Sequence, residues 1–273
     1  MIYVLIGLFG LALGSFTNAL AWRVSKQSNA KSAKKRNRYS IVKGRSMCPS
    51  CKHTLGAKDL IPVLSWLSLR GKCRYCKKSI SVQYPLVELL FASSLVFAYH
   101  FWPIELTSIQ NYILFGIFSI IMVISFSLAI IDTNDQLLPT KLVYLMGIFS
   151  ASFTVLLAIL LNDRSVLLNS LSGAALLGGI FWAVYQISSG KWIGGGDVRL
   201  LFVMGLLLGW QKGLLAVVVA SYLATALIIV LIVIKKYKKH MRIPFGPFLL
   251  TATYLVLLFG DHVIAVYKTL SGL

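Results

Sequence analysis

Long apolar stretches alternate with short polar loops along this chain of 273 residues. Eight of these stretches approach the length of about 20 residues that a helix needs to cross a bilayer. Their approximate limits are residues 2–22, 86–104, 111–131, 141–161, 166–187, 198–210, 213–234 and 246–267. The pattern predicts an all-α polytopic membrane protein with about eight transmembrane helices, of which the sixth is short.

Composition supports a lipid bilayer as the surroundings of this chain. Hydrophobic residues make up 58% of the sequence and the mean hydropathy is +0.80, which is too apolar for one water-soluble core. The first stretch has no basic residues in front of it and no small-residue cleavage site before Trp22. We therefore expect it to be a retained helix and not a cleaved signal peptide.

Lys and Arg residues are distributed very unevenly among the loops. Of the 27 in the chain, all but Arg164, Lys212 and Lys268 fall in residues 23–85, 132–141, 189–199 and 235–242. Since basic loops stay in the cytoplasm, the large loop is predicted to be cytoplasmic and both termini to lie outside. Topology also accounts for the net charge of +19, so anionic lipid heads are the expected partners and no nucleic acid is expected.

The one sizeable hydrophilic segment divides the chain into three parts. Residues 1–24 form the first transmembrane helix, residues 25–85 a basic cytoplasmic loop, and residues 86–273 the remaining seven helices. Within the loop, residues 25–45 are rich in Lys, Arg, Ser and Asn and poor in apolar residues. Such a segment cannot bury enough apolar surface to order itself, so we predict a flexible arm.

Four cysteines follow the arm as two CxxC pairs, Cys48 with Cys51 and Cys73 with Cys76. Four thiolates arranged in this way suit tetrahedral Zn²⁺ in a structural site. Two disulfides or four idle thiols are the alternatives, but a cytoplasmic location argues against stable disulfides. A cysteine module of roughly forty residues has too small a hydrophobic core to fold alone, so bound zinc would supply the missing folding free energy.

Two aspartates lie where apolar stretches meet polar loops, in a chain with only eight acidic residues. Asp132 precedes the loop that ends at Pro139, and Asp197 directly follows Gly194, Gly195 and Gly196. A lone aspartate at a helix end is usually a cap, yet rare acids at a membrane boundary often have a function. Consecutive glycines permit close packing of the helix end or close approach by an extended peptide.

Paired carboxylates could activate water for hydrolysis. Two of them within hydrogen-bonding distance cannot both ionise easily, so they would share one proton. The ionised member would take a proton from water, and the protonated member would support the oxyanion formed when that water attacks an amide. The four histidines are scattered and no HExxH motif is present, so a metal-free aspartate dyad is the predicted catalyst.

These residues resemble the two aspartate motifs of type IV prepilin peptidases, the GxGD class of membrane aspartic proteases. Further matches run in order from residue 14 to about residue 200. They comprise Gly14-Ser15-Phe16-Thr17-Asn18 with Arg23, the two cysteine pairs, Ile61-Pro62-Val63-Leu64-Ser65-Trp66 and Tyr84-Pro85-Leu86-Val87-Glu88-Leu89-Leu90. Three positions depart from the usual residues of this family, namely Asn134, Thr140 and Arg199.

The resemblance implies removal of the basic leader from prepilins or pseudopilins at the cytoplasmic face of a bacterial inner membrane. Asp132 and Asp197 would be the catalytic dyad, with Gly194, Gly195 and Gly196 in support. Asp135 would be a near neighbour that modulates the titration of the dyad, or alternatively the true partner in it. The resemblance also implies methylation of the new amino terminus with S-adenosylmethionine. The candidate residues for that reaction are Asn18, Arg23 and Glu88.

Two other kinds of function fit parts of the sequence. A transporter would use intramembrane acids to relay ions, but it predicts inverted repeats and acids near the middle of the bilayer. A membrane-anchored zinc adaptor would explain the cysteines and the positive charge. It leaves the run from Gly194 to Asp197 without a purpose.

Overall fold

The fold is helical throughout the part of the chain that the computed structural model describes, namely residues 1–30, 32, 37, 39–41, 44–238, 241 and 243–272. A 3-10 turn spans Ala57–Asp59, and the described residues contain no strand. The α-helices are α1 (Ile2–Ser28), α2 (Leu64–Ser68), α3 (Gln83–His100), α4 (Ile109–Asp135), α5 (Thr140–Leu161), α6 (Ser165–Ile187), α7 (Gly195–Val233) and α8 (Gly246–Ser271). The predicted all-α membrane fold is confirmed.

The length and composition of the helices can be compared with the predicted number of membrane spans. Among the described residues, six helices (α1 and α4 to α8) are long and apolar enough to cross a bilayer, so the predicted count of eight is not confirmed. The stretches 198–210 and 213–234 correspond to two helical segments of α7 (Gly195–Val233), which meet at a kink. Gly209, with φ 77° and ψ 179°, breaks this helix close to the junction between the two predicted spans.

The first compact unit comprises Met1–Trp102 and contains α1, α2 and α3. Glycines on α1 bring its backbone against that of α3. A Cβ atom added at Gly10 would lie 2.7 Å from the Cα of Ala92, and one at Gly14 would lie 2.8 Å from the Cα of Glu88. Small residues that let two backbones approach in this way are typical of membrane helix pairs.

The basic arm predicted for residues 25–45 is only partly covered by the described residues. Its first four residues belong to α1, which ends at Ser28 and is therefore longer than the predicted span. Residues 31, 33–36, 38, 42 and 43 lie outside the described residues, and the prediction of a flexible segment there stays a prediction.

The second compact unit comprises Pro103–Leu273 and contains α4 to α8. In it α7 packs against α5, α6 and α8, and α4 packs against α5 and α8. The closest crossing joins α6 to α7, where a Cβ at Gly173 would lie 2.5 Å from the carbonyl oxygen of Gly205. This crossing fixes the position of the helix that begins with the glycine run and Asp197.

Polar side chains from α5 and α6 satisfy the backbone where α7 is broken. The hydroxyl groups of Thr154 and Ser170 both donate to the carbonyl oxygen of Leu206. The amide oxygen of Asn169 accepts from the backbone N–H of Trp210 at 3.3 Å. These bonds stabilise the break, because a helix that is interrupted inside a membrane must find partners for the backbone groups it frees.

The boundary between the two compact units falls after Trp102, whereas the sequence prediction ends its loop segment at residue 85. The helix α3 packs against α1 and so belongs to the first unit, although the sequence placed it with the later helices. The division into residues 1–24, 25–85 and 86–273 stays a prediction.

Candidate functional site

Asp132 lies in the last turn of α4, three residues before the helix ends. Its side chain is buried, with 6% of the residue surface exposed. The carboxylate oxygen Oδ2 accepts a hydrogen bond of 3.0 Å from the backbone N–H of Gly246, the first residue of α8. A buried carboxylate is thus held by the beginning of another helix.

Asp197 is the third residue of α7 and is half-buried. Its carboxylate accepts a hydrogen bond from the backbone N–H of Gly194, the residue that precedes the helix. An acid at this position receives one of the unpaired amides of the helix start and sits at the positive end of the helix dipole. The local sequence therefore determines the orientation of this side chain.

The two aspartates lie close enough for their charges to interact. Leu138 packs near both of the elements that hold them. A Cβ added at Gly196 would lie 3.0 Å from the Cβ of Leu138, and one added at Gly246 would lie 3.5 Å from its Cδ2 atom. The end of α4 with its following loop, the beginning of α7 and the beginning of α8 therefore meet at one place in the second unit.

The three glycines before Asp197 differ in their surroundings. Gly196 is the most constrained, because an added Cβ would lie 3.0 Å from the Cβ of Leu138, and one added at Gly194 would lie 3.2 Å from Oδ2 of Asp197. At Gly195 an added Cβ would be in ordinary contact with the Tyr185 ring at 3.6 Å, and Gly194 is exposed. Asp135, the neighbouring acid, is exposed at the end of α4. The supporting roles of these residues stay predictions.

Two of the three residues that depart from the family pattern contact each other. The guanidinium group of Arg199 donates through Nη1 to the hydroxyl of Thr140 and through Nε to the carbonyl oxygen of Gly195 at 2.8 Å. Thr140 begins α5 and Gly195 begins α7. This side chain therefore ties the starts of two helices together beside the aspartates.

Sequence reasoning missed Gly246 as part of this site. The residue lies 114 positions from Asp132 and carries no side chain that could suggest chemistry. The one signal was the pair of prolines around it, Pro244 and Pro247, at the entrance to the last apolar stretch. Prolines so placed often mark a helix start with a restrained backbone.

The four cysteines form a cluster that fits a tetrahedral metal ion. Their four Sγ atoms lie within 4.8 Å of one another, and no disulfide joins them. Tetrahedral zinc with Zn–S bonds of 2.3 Å separates its sulfur ligands by about 3.8 Å. The Sγ atoms of Cys48 and Cys76 are 3.9 Å apart. Cys48, Cys51, Cys73 and Cys76 could together hold such an ion.

Each cysteine pair lies in a small hairpin of its own, and the two hairpins have the same form. The backbone N–H of Cys48 donates to the carbonyl oxygen of His53, and that of Cys73 donates to Lys78, each at 2.9 Å. Lys52 and Lys77, the residues after the second cysteine of each pair, have φ of 60° and 59°. Two equivalent turns therefore present the four sulfur atoms, as expected of paired metal-binding knuckles.

The local electrostatics differ between the two buried cysteines. Burial raises the pKa of the Cys48 thiol to about 11. At Cys73 burial acts in the same direction, but the backbone N–H groups of Cys76 and Tyr75 and the neighbouring thiols outweigh it and lower the pKa to about 7. The backbone amides of this turn therefore favour the thiolate form of Cys73, and a bound metal would deprotonate the other cysteines.

A cavity of about 390 Å³ lies in the first unit between the helix pair and the cysteine module. Asn18, Arg23 and Glu88, the three candidates for methyl transfer, all line it. Its wall also includes aromatic rings and the first cysteine turn, among them Trp22, Trp66, Tyr84, Met47 and Cys48. Its volume lies in the range of small-molecule sites.

The three candidate residues are fixed by contacts within the first unit. Asn18 donates to the carbonyl oxygen of Tyr84 at 3.1 Å, and Arg23 donates to the carbonyl oxygens of residues 40 and 41. Glu88 accepts from the backbone N–H of Val63 at 2.7 Å. Val63 has φ 58°, which is rare for a β-branched residue. The Glu88 carboxylate therefore helps to hold a strained turn at the cavity wall.

A helical membrane protein with two neighbouring aspartates at helix ends has the layout of a membrane aspartic protease. Residues 8–102 match the model of the bacterial peptidase A24 N-terminal domain, and residues 119–230 match that of the type IV leader peptidase family. The chain belongs to the type IV leader peptidase family and is an integral inner membrane protein. The first match ends at Trp102, where the first compact unit also ends.

Curated relatives match almost the whole chain. The prepilin leader peptidase/N-methyltransferase of Aeromonas hydrophila is 30% identical over 98% of this chain and 94% of its own length. The proteins of that name from Pseudomonas aeruginosa and Legionella pneumophila are each 30% identical over 97% of this chain, and 93% and 94% of their own lengths. No solved structure matches the chain. The transporter and adaptor alternatives are not favoured.

Proposed function

We propose that this protein removes the basic leader from type IV prepilins or pseudopilins and methylates the amino terminus that results. The main support for the peptidase activity is the proximity of Asp132, near the end of α4, to Asp197, near the beginning of α7, in a chain of this family. Relatives that cover nearly all of the chain carry both activities in their name, which supports the second half.

The peptidase reaction needs only the two carboxylates and one water. An ionised aspartate takes a proton from the water, whose oxygen attacks the carbonyl carbon of the scissile amide. The protonated aspartate donates a hydrogen bond to the oxyanion and then helps to protonate the leaving nitrogen as the C–N bond breaks. Backbone amides of Gly246 and Gly194 orient the two acids for this exchange.

The site is proposed to face the cytoplasm, with both termini outside. The basic loops support this orientation, because the basic leader of a prepilin also stays in the cytoplasm during insertion. A strongly basic face would by itself repel such a leader. Asp132, Asp135 and Asp197 supply local negative charge at the place where the leader would bind.

Methylation is proposed to take place at the cavity of the first unit. S-adenosylmethionine, when bound there, supplies an electrophilic methyl group to the new amine. Its positive sulfonium suits a cavity that offers the Glu88 carboxylate and the aromatic rings of Trp22 and Trp66. Asn18 donates to a backbone carbonyl at the start of α3, and Arg23 donates to the backbone carbonyl of Ser40, so both side chains brace the backbone around this space.

Zn²⁺ is proposed to have a structural role in this unit. Cys48 and Cys73 line the same cavity as Glu88, so an ion held by the four sulfurs would keep one wall of the cavity in place. Zinc itself supplies cross-linking and no chemistry in this proposal, since a Cys₄ site has no open coordination position.

The decisive experiment is incubation of the purified protein with a candidate prepilin and S-adenosylmethionine, followed by mass measurement of both products. Asp132→Asn and Asp197→Asn should each lower the cleavage rate on the order of 10²–10⁴-fold at normal protein level and zinc content. Asp163→Asn changes an exposed acid between α5 and α6 and serves as the matched control. Unimpaired cleavage by both dyad variants would refute the mechanism.

Methylation is tested separately on a peptide that already lacks its leader. Glu88→Gln should lower methyl transfer while leader cleavage stays at the level of the parent protein. Glu105→Gln, which changes an exposed glutamate of the second unit that does not line the cavity, is the control. Methyl transfer that is unaffected by Glu88→Gln would remove this cavity from the proposal.

A further inference from the structure

The segment between α7 and α8 reaches the aspartates through one backbone amide. Gly246 is buried and begins α8, and Pro244, Phe245 and Pro247 surround it in the sequence. Its N–H group donates to Oδ2 of Asp132 at 3.0 Å, a contact that joins the beginning of the last helix to the end of α4. Neither motif found in the sequence accounts for it.

The N–H group of Gly246 has no acceptor within the first turn of α8 and donates to a residue outside the helix. The N–H groups of Phe248 and Leu249 both donate to the carbonyl oxygen of Phe245, and Pro247 has no N–H. A helix start normally satisfies such a free amide with a side-chain cap from its own sequence. Phe245 precedes the helix and offers no polar cap, so Asp132 takes that role from another helix.

The space around Gly246 excludes any side chain. A Cβ atom added there would lie 2.5 Å from Oδ2 of Asp132 and 3.2 Å from its Cγ atom. The Cδ2 atom of Leu138 would lie 3.5 Å from the same added Cβ atom. Even one methyl group would therefore push the carboxylate away from the position in which the amide now holds it.

We propose that Gly246 is a positioning residue of the peptidase: its N–H and its lack of a side chain orient the Asp132 carboxylate toward the site it shares with Asp197. The inference rests on the proposed function and adds a third chain segment to the reaction. Gly246 does not react itself. It acts through Asp132, because the positive end of α8 stabilises the charged form of that carboxylate and fixes its direction.

The test compares Gly246→Ala with Gly116→Ala in the full chain. Gly116 lies on α4 with Asp132, and a Cβ added there would meet no atom within 4 Å. Gly246→Ala should lower kcat for prepilin cleavage by about 10- to 100-fold with little change in KM, because a small misplacement of a reacting group is that costly. The acidic limb of its pH–rate profile should move to higher pH.

The contrary result is clear for each measurement. A Gly246→Ala protein whose kcat and pH profile match those of Gly116→Ala would overturn the positioning role. If the parent protein cleaves no prepilin at all, it is the proposed function that fails. Methylation of a leader-free peptide should be unchanged in Gly246→Ala, since the cavity of the first unit contains no residue of this segment.

A stability cycle keeps the inference testable if Gly246→Ala folds poorly. Asp132→Ala removes the carboxylate that the new methyl group would contact. Gly246→Ala should therefore lower the unfolding temperature much less in the Asp132→Ala protein than in the parent protein. Equal losses in the two backgrounds would show that the methyl group conflicts with something other than Asp132, and would overturn the proposal.

Discussion

The crossing of α6 and α7 offers a sharp test of how the second unit positions Asp197. Gly173 on α6 faces Gly205 and Gly209 on α7. A Cβ atom added at Gly173 would lie 2.5 Å from the carbonyl oxygen of Gly205 and 2.7 Å from the Cα of Gly209. All of these neighbouring atoms belong to the backbone, so no side-chain rotation can make room.

The magnitude of the Gly173→Ala effect follows from these distances. Atoms in ordinary contact are about 3.5 Å apart, so the two helices would have to separate by about 1 Å. Overpacking of this kind costs about 1–3 kcal/mol. Asp197 lies eight residues before Gly205, about 12 Å along the same helix, so the displacement should also disturb the dyad.

Gly179→Ala is the matched control, because Gly179 lies on the same helix and a Cβ there would meet no atom within 4 Å. The higher helix propensity of alanine is common to both variants and cancels in the comparison. Thermal unfolding in detergent should place Gly173→Ala several degrees below Gly179→Ala, and its initial rate of prepilin cleavage should be at least several-fold lower. Equal unfolding temperatures and equal rates would refute this account of the crossing.

Three further predictions concern the metal module and the helix starts. Cys73→Ser should lower bound zinc, measured by mass spectrometry, and a metal-free protein with unchanged thermal stability would contradict a structural metal. Arg199→Leu should slow cleavage without affecting methylation, because it removes the bond to Thr140; equal slowing of both reactions would argue against a local role. The hydrogen bond from Arg74 keeps the pKa of Asp59 below its ordinary value. The contact therefore stabilises the module at neutral pH, and this stabilisation is lost as the pH falls through the lowered pKa of Asp59. Asp59→Asn should therefore lower the unfolding temperature at pH 7, and the difference should shrink below about pH 4; a difference that does not depend on pH would argue against this pair.

The break within α7 depends on contacts with other helices as well as on the local sequence. Two apolar stretches predicted two spans, and the structure divides α7 into two helical segments at Gly209. Hydropathy marks where a chain is apolar, but the break depends on Asn169, Thr154 and Ser170, which lie on other helices. Only the packed bundle brings those side chains to the backbone groups that the break frees.

The cysteine module was the part of the site most open to prediction. The spacing of its two pairs already indicated four sulfur ligands, because a CxxC turn is a local structure that brings its two thiols together. The structure adds that the two turns are equivalent and that their sulfurs converge. It also places Cys48 and Cys73 on the wall of a cavity with Glu88, which no spacing could have indicated.

The sequence by itself determined the membrane class, the cysteine pairs and the two aspartates, because each follows from residues that are close together in the chain. Apolar length, thiol spacing and an acid after three glycines are local properties. The tertiary structure alone decided that Asp132 receives its hydrogen bond from Gly246, which carries no side chain and lies more than a hundred residues away. That contact depends on how the ends of separate helices pack, and the free energy of such packing is spread over the whole bundle.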